Sequence, residues 1–165
     1  KCTIDPAFIN RNFERPVTDD LFDGLEKDIV AVFEKTGNDF AKHLENNAAD
    51  YDLETLVSDA FDLLAKYAVG CLFIEKNQFD FKFLADNYRV YRKKFFETMK
   101  QYLAAFIESG KVRPLEQIEL STMLIIEILS WWAMDIRYTS FETQDISPEL
   151  AKKVCIDNIL SAYKA

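Results

Sequence analysis

Apolar positions recur at spacings of three and four residues through most of this chain, the period of helices with one buried face. The stretch from Leu53 to Leu72 keeps the period most cleanly. Leu53, Leu56, Val57, Ala60, Phe61, Leu64, Tyr67, Ala68, Cys71 and Leu72 fall on one side, and Glu54, Ser58, Asp59, Asp62 and Lys66 on the other. With Asp52 placed as a cap, this predicts a helix to about Ile74. Upstream, Leu21, Phe22, Leu25, Ile29, Val32 and Phe33 predict another helix. It starts at Thr18, carries Asp19 and Asp20 where the helix dipole favours acids, and runs past Gly37 to about Leu44. A short helix capped by Asp5, with Pro6 at its first position, is expected before it. Asn46 to Tyr51 reads as a turn.

Glu75 to Gln78 turns the chain again. Phe79 to Asp86 reads as a short helix of its own and Asn87 as a break. Tyr88 to Ser109 predicts a long helix with Tyr91, Phe95, Met99, Tyr102, Leu103 and Phe106 on one face, ended by Gly110. Thr139 to Ile146 is a loop. Ser147-Pro148-Glu149 is a strong helix start, a capping serine followed by proline and an acid. The last helix carries Leu150, Ala151, Val154, Cys155, Ile159, Leu160 and Tyr163.

One stretch breaks the amphipathic rule. Gln117 to Tyr138 is apolar on nearly every side, through Leu120, Met123, Leu124, Ile125, Ile126, Ile128, Leu129, Trp131, Trp132 and Met134. Glu119, Glu127 and Asp135 interrupt it, so it does not read as a membrane span. A helix apolar all round has to be covered all round. Part of it is expected to pack within its own subunit and part against a second copy of the chain.

The length of 165 residues fits one domain. A net charge of -8 argues against the bulk of the chain gripping phosphates. The front is the least acidic part, since Lys1, Arg11 and Arg15 outnumber Asp5 and Glu14. Cys2, Cys71 and Cys155 are odd in number and follow no metal-like spacing, which suggests a reducing cytoplasm, and Cys71 and Cys155, set among apolar residues, read as buried structural thiols. The chain begins Lys-Cys, so something upstream is expected to be absent from it.

Catalytic constellations are missing from the sequence. It has no Gly-rich phosphate loop, no G-x-S-x-G, no H-E-x-x-H and no cysteine paired with a base. His43 is the only histidine, which excludes a di-iron bundle built on Glu-x-x-His repeats. It reads as a surface residue. Arg89, Arg92, Lys93 and Lys94 form a basic cluster, which reads as a solvated face balancing nearby acids, the alternative being an anion or phosphate contact. No enzyme activity, metal or cofactor is expected.

Two regions resemble TetR-family bacterial transcriptional regulators. YLAAFIESGKVRPL at 102–115, the apolar helix after it and ISPELAKKVCIDNILSAY at 146–163 look like that family's C-terminal half. IDPAFINRNFERPVTDDLF at 4–22 resembles the end of its helix-turn-helix. Phe13 matches the family's aromatic, Asn10 stands where tyrosine is usual, and the turn before Leu21 is about two residues longer. The resemblance implies an all-α bundle dimerising through its last two long helices. Residues 1–16 would be a remnant of the DNA-binding unit and residues 17–165 the ligand-binding and dimerisation domain.

It further implies a cytoplasmic, ligand-responsive regulator, most simply a repressor. It would act as a homodimer and bind operator DNA through the N-terminal region of the complete protein, with Arg11 as the candidate DNA contact and no membrane partner. The alternative is a helical dimeric adaptor module without DNA-binding activity. An apolar or aromatic effector would lie among Phe61, Leu64, Tyr67, Tyr91, Phe95, Met99, Tyr102 and Trp131. The dimer would form on Leu124, Ile128, Trp132, Leu150, Val154 and Ile159. Glu127, a charge within an apolar run, is expected at the dimer seam with a hydrogen-bonding partner or in the ligand cavity.

Overall fold

The computed structural model describes residues 20–45, 51–140 and 146–165. Within them every regular element is helical: α1 Asp20–Glu45, α2 Leu53–Lys76, α3 Lys82–Glu108, α4 Ile118–Ser130 and α5 Pro148–Tyr163. α4 continues through a π-helical turn, Trp131–Asp135, into a last α turn, Ile136–Tyr138. Arg11, the short helix expected near it, the Thr18 cap and most of the turn at 46–51 lie outside the described residues.

The central helix is α2. α2 packs on α3, α4, the π turn and α5. Its stripe Leu53, Leu56, Val57, Ala60, Phe61, Leu64, Ala68 and Cys71 is buried as the periodicity requires. The Asp52 carboxylate accepts from Thr55 N and Thr55 Oγ1, both at 2.9 Å. The bond from the Thr55 backbone N–H holds its pKa below the usual carboxylate range.

The separate helix expected over Phe79–Asp86 and the break at Asn87 are not there. α3 runs unbroken from Lys82 to Glu108. Asn87 Nδ2 donates to the Phe83 carbonyl one turn back at 2.9 Å, so the side chain bonds within the helix instead of competing with it. Asp86 pairs with both Lys82 and Arg89 across the same turns.

Gly110 ends α3 as expected, at φ 72°. Gly110 N donates to the Ile107 carbonyl and Lys111 N to that of Phe106, at 3.1 and 2.8 Å. This pairing of crossed bonds requires a left-handed residue between them. The connector then clasps the end of α5: Val112 bridges Lys164, and Arg113 N donates to the Tyr163 carbonyl at 3.0 Å. At the other end of α5, Ser147 Oγ accepts from Leu150 N at 3.2 Å, with Pro148 at the first helical position.

α1 lies along α3 in the same direction. Phe33 stacks on Tyr91 with ring centroids 5.0 Å apart, Phe40 meets Phe95 at 5.0 Å, and Lys94 Nζ donates to Asn38 Oδ1 at 2.8 Å. Its contact with α2 is slight by comparison. A seam therefore runs between α1 and α2.

Candidate functional site

Two features stand apart from ordinary core packing. One is the seam between α1 and α2, and the other is the outer face of α4 and α5.

The seam has an outer and an inner part. Outside is an open cleft of about 370 Å³, with Asp39, His43, Asp59, Asp62 and Lys66 at its walls. His43 is half-buried there, stacked flat on Tyr51 at 4.2 Å, and so is more enclosed than a plain surface residue. Tyr51 donates from its hydroxyl to Asp59 Oδ2 at 3.1 Å, and burial followed by the Asp59 charge pushes its pKa up. Inside is an apolar void of about 10 Å³, room for one water. Thr36 and Tyr67 line both parts, and Thr36 Oγ1 donates to the Tyr67 hydroxyl at 3.5 Å between them.

The eight residues expected around an effector divide into three groups. Leu64, Tyr67, Tyr91 and Phe95 line the inner void. Phe61, Met99 and Tyr102 are buried in the aromatic and aliphatic core beyond it. Trp131 is not in the interior. It is 41% exposed on the outer face of α4, because position 131 follows Leu124 by two turns and Leu120 by three. The inward stripe of that helix is Thr122, Ile125, Ile126, Leu129, Ala133 and Met134.

Sequence reasoning missed several groups at the void: Thr36, Cys71, Tyr88 and Arg92. Cys71 follows Tyr67 by one turn and Tyr88 precedes Tyr91 by one turn, so helical spacing alone places them together. Burial pushes the Cys71 thiol up to about 11 and raises the pKa of Tyr88 and Tyr91. The Tyr88 hydroxyl donates to Glu75 Oε1 at 2.8 Å. Arg92 Nη1 reaches Ser130 Oγ at 3.4 Å and Nη2 lies 3.8 Å from Glu127. The basic cluster is thus divided. Arg89 pairs with Asp86, Arg92 faces Glu127 and Lys94 bonds Asn38.

On the outer face, Leu120, Met123, Leu124 and Trp131 of α4 and its π turn stand exposed, as do Leu150 and Val154 of α5. Ile128 and Trp132 are half-buried beside them. Of the six residues expected at a dimer contact, Ile159 is not available for it. It is 1% exposed and belongs to the inward stripe Ala151, Cys155, Ile159 and Tyr163. Glu127 sits on the outer stripe with Leu124 and Trp131, its side chain 69% exposed, with Arg92 as its ion-pair partner.

No protein-family model, no curated protein and no solved structure matches this chain. Among the described residues no helix is long and apolar enough to cross a membrane, and no group of three or more His, Cys, Asp or Glu could hold a metal ion.

Proposed function

We propose that this chain is the effector-binding and dimer-forming part of a TetR-type transcriptional regulator, a binding protein and not an enzyme. The observation that carries the reading is the outer face of the last two helices. Leu120, Leu124, Trp131, Leu150 and Val154 present apolar surface on adjacent elements. A second copy related by a two-fold axis would cover both helices at once, since the same patch then meets itself. Two helices from each subunit would form a four-helix contact through Leu124, Ile128, Trp132, Leu150 and Val154.

The remaining parts fit the same reading. α1 follows directly on the residues whose sequence resembles the end of a helix-turn-helix. The seam it forms with α2 and α3 is rich in aromatic rings, and an apolar or aromatic effector held there would act on α1. A ligand changes the state of such a protein only by binding one arrangement of its helices better than another.

Sedimentation velocity at micromolar concentration is the first test. A dimer burying more than about 1,200 Å² in total is expected, and a monomer would overturn the reading. The second test selects DNA from a random library with the complete protein. Recovery of a two-fold symmetric sequence is expected. A dimer that recovers none would be an adaptor module instead.

A further inference from the structure

We propose that Arg92 of α3 is what allows the outer face of α4 and α5 to meet a second copy of itself. Its guanidinium supplies, from the same subunit, the countercharge for Glu127, the carboxylate in the middle of that face. This rests on the dimer reading above and names the residue pair on which the strength of the dimer depends.

The first observation is where the charge stands. Leu120, Leu124, Glu127 and Trp131 follow one another at helical spacing and form one stripe along α4 into its π turn. The three apolar members are exposed, and so is the Glu127 side chain, at 69%. A partner that covers the stripe covers this carboxylate with it. Withdrawing a carboxylate from water without a countercharge is strongly unfavourable. In a two-fold contact every residue of the patch occurs twice, so two such carboxylates enter one interface.

The second is that the countercharge is already in place. Arg92 Nη2 lies 3.8 Å from Glu127 Oε1, and Nη1 donates to the Oγ of the buried Ser130 at 3.4 Å. The guanidinium is thus laid along the flank of α4, with its side chain 28% exposed. The other acid of α4 is met in the same way, since Lys100 Nζ lies 3.9 Å from Glu119. Arg92 and Lys100 are two turns apart on α3, and Glu127 and Glu119 two turns apart on α4, in the opposite order. Glu119 and Glu127 are the whole charge of α4, and both are answered from α3.

The third is what this implies for the occupant. A face whose charges are matched internally asks for no opposite charge from outside. A partner that brought a lysine or arginine to Glu127 would meet Arg92 beside it. A second copy brings apolar surface and a carboxylate already paired, so two such faces can close without like charges left unmatched. In the free subunit an ion pair this open contributes little. Once covered, it is shielded from water and salt, and removing Arg92 leaves a carboxylate buried and unpaired.

The experiment measures the dimer dissociation constant by sedimentation equilibrium for the wild type, Arg92→Met, Glu127→Gln and the double variant. Arg92→Met keeps the aliphatic stem and is expected to weaken the dimer at least about twentyfold. Glu127→Gln removes the charge that needs matching and is expected to stay within about threefold of the wild type. The double variant is expected to regain most of the loss, which a merely structural role of Arg92 would not allow. Arg92→Gln, which can still reach Ser130, makes the same test if the methionine disturbs the fold. A dimer as strong in both Arg92 variants as in the wild type, or a loss that Glu127→Gln does not recover, would overturn the proposal and leave the dimer standing. A wild type that is monomeric throughout would instead overturn the dimer reading itself.

Discussion

The Tyr102 hydroxyl donates to the Phe40 carbonyl at 2.7 Å, from the C-terminal part of α3 to the C-terminal half of α1. Tyr102 is 2% exposed and Phe40 8%. The bond is buried and joins elements 62 residues apart in sequence, where the two rings also meet edge to face at 5.9 Å. It fixes α1 to α3 at the end of the seam away from the void. Tyr102→Phe keeps the ring and loses only this bond, and should cost about 1 kcal/mol. Tyr102→Ala also opens a cavity and should cost roughly 3–5 kcal/mol. Urea denaturation of both variants checks the gap, and equal losses would mean that the hydroxyl carries the contact.

Gly110 gives a cleaner backbone test. A Cβ added there meets nothing within 4 Å, so crowding does not enter. The cost of Gly110→Ala is then the left-handed conformation alone, at φ 72°, and should be about 1–2 kcal/mol. Gly37 is the control. It lies inside α1, and a Cβ there would touch only the flexible end of Lys94 at 3.7 Å. Gly37→Ala should stabilise by up to about 1 kcal/mol. Thermal denaturation of the pair should therefore move in opposite directions.

The helices were legible wherever one stripe is buried and a cap residue marks the end. Asp52, Ser147-Pro148 and Gly110 each stand where the sequence put them. Two features were not legible. Asn87 looks like a break because its side chain competes with the backbone, and only the bond to Phe83 makes it an interior residue. In α4, apolar residues fall on nearly every side, so the sequence does not mark which side faces inward. Trp131 went to the wrong face for that reason, and so did Ile159 in α5, where Val154 and Leu150 are equally apolar. The π turn at Trp131–Asp135 leaves no local signature in WWAMD. Of the seam, periodicity supplied the rings, but that α1 packs on α3 and only slightly on α2 is a tertiary choice.

Alkaline pH should weaken the fold through the buried thiols. Burial pushes Cys71 from 9.0 up to about 11, and Cys155 likewise to about 11. Both folded values lie above the unfolded ones. The stabilisation from keeping the thiols neutral is fully present below pH 9 and is lost as pH rises from there to about 11. For Cys71 the whole effect is roughly 3 kcal/mol. Stability measured from pH 8 to pH 11 should fall, and Cys71→Ala should flatten that slope while lowering stability at pH 8. A slope unchanged in Cys71→Ala would place the loss elsewhere, for instance on the buried tyrosines.

The outer face can be tested without disturbing the subunit's own core. Leu124 is 54% exposed and Val154 43%, so charging them removes little of what holds one copy together. Leu124→Glu combined with Val154→Glu places like charges on both halves of a self-complementary patch, four in each dimer, and like charges facing each other across a contact cost several kcal/mol. The double variant should sediment as a monomer at concentrations where the wild type is a dimer. Its helical circular-dichroism signal should be retained, and its unfolding should no longer depend on protein concentration. Ile159→Glu is the contrasting case. That side chain is 1% exposed, so the charge would be buried without a partner and the subunit itself should unfold. A Leu124→Glu, Val154→Glu protein that remains dimeric would move the contact to another surface, and the exposed stripe of α4 would then need a different explanation.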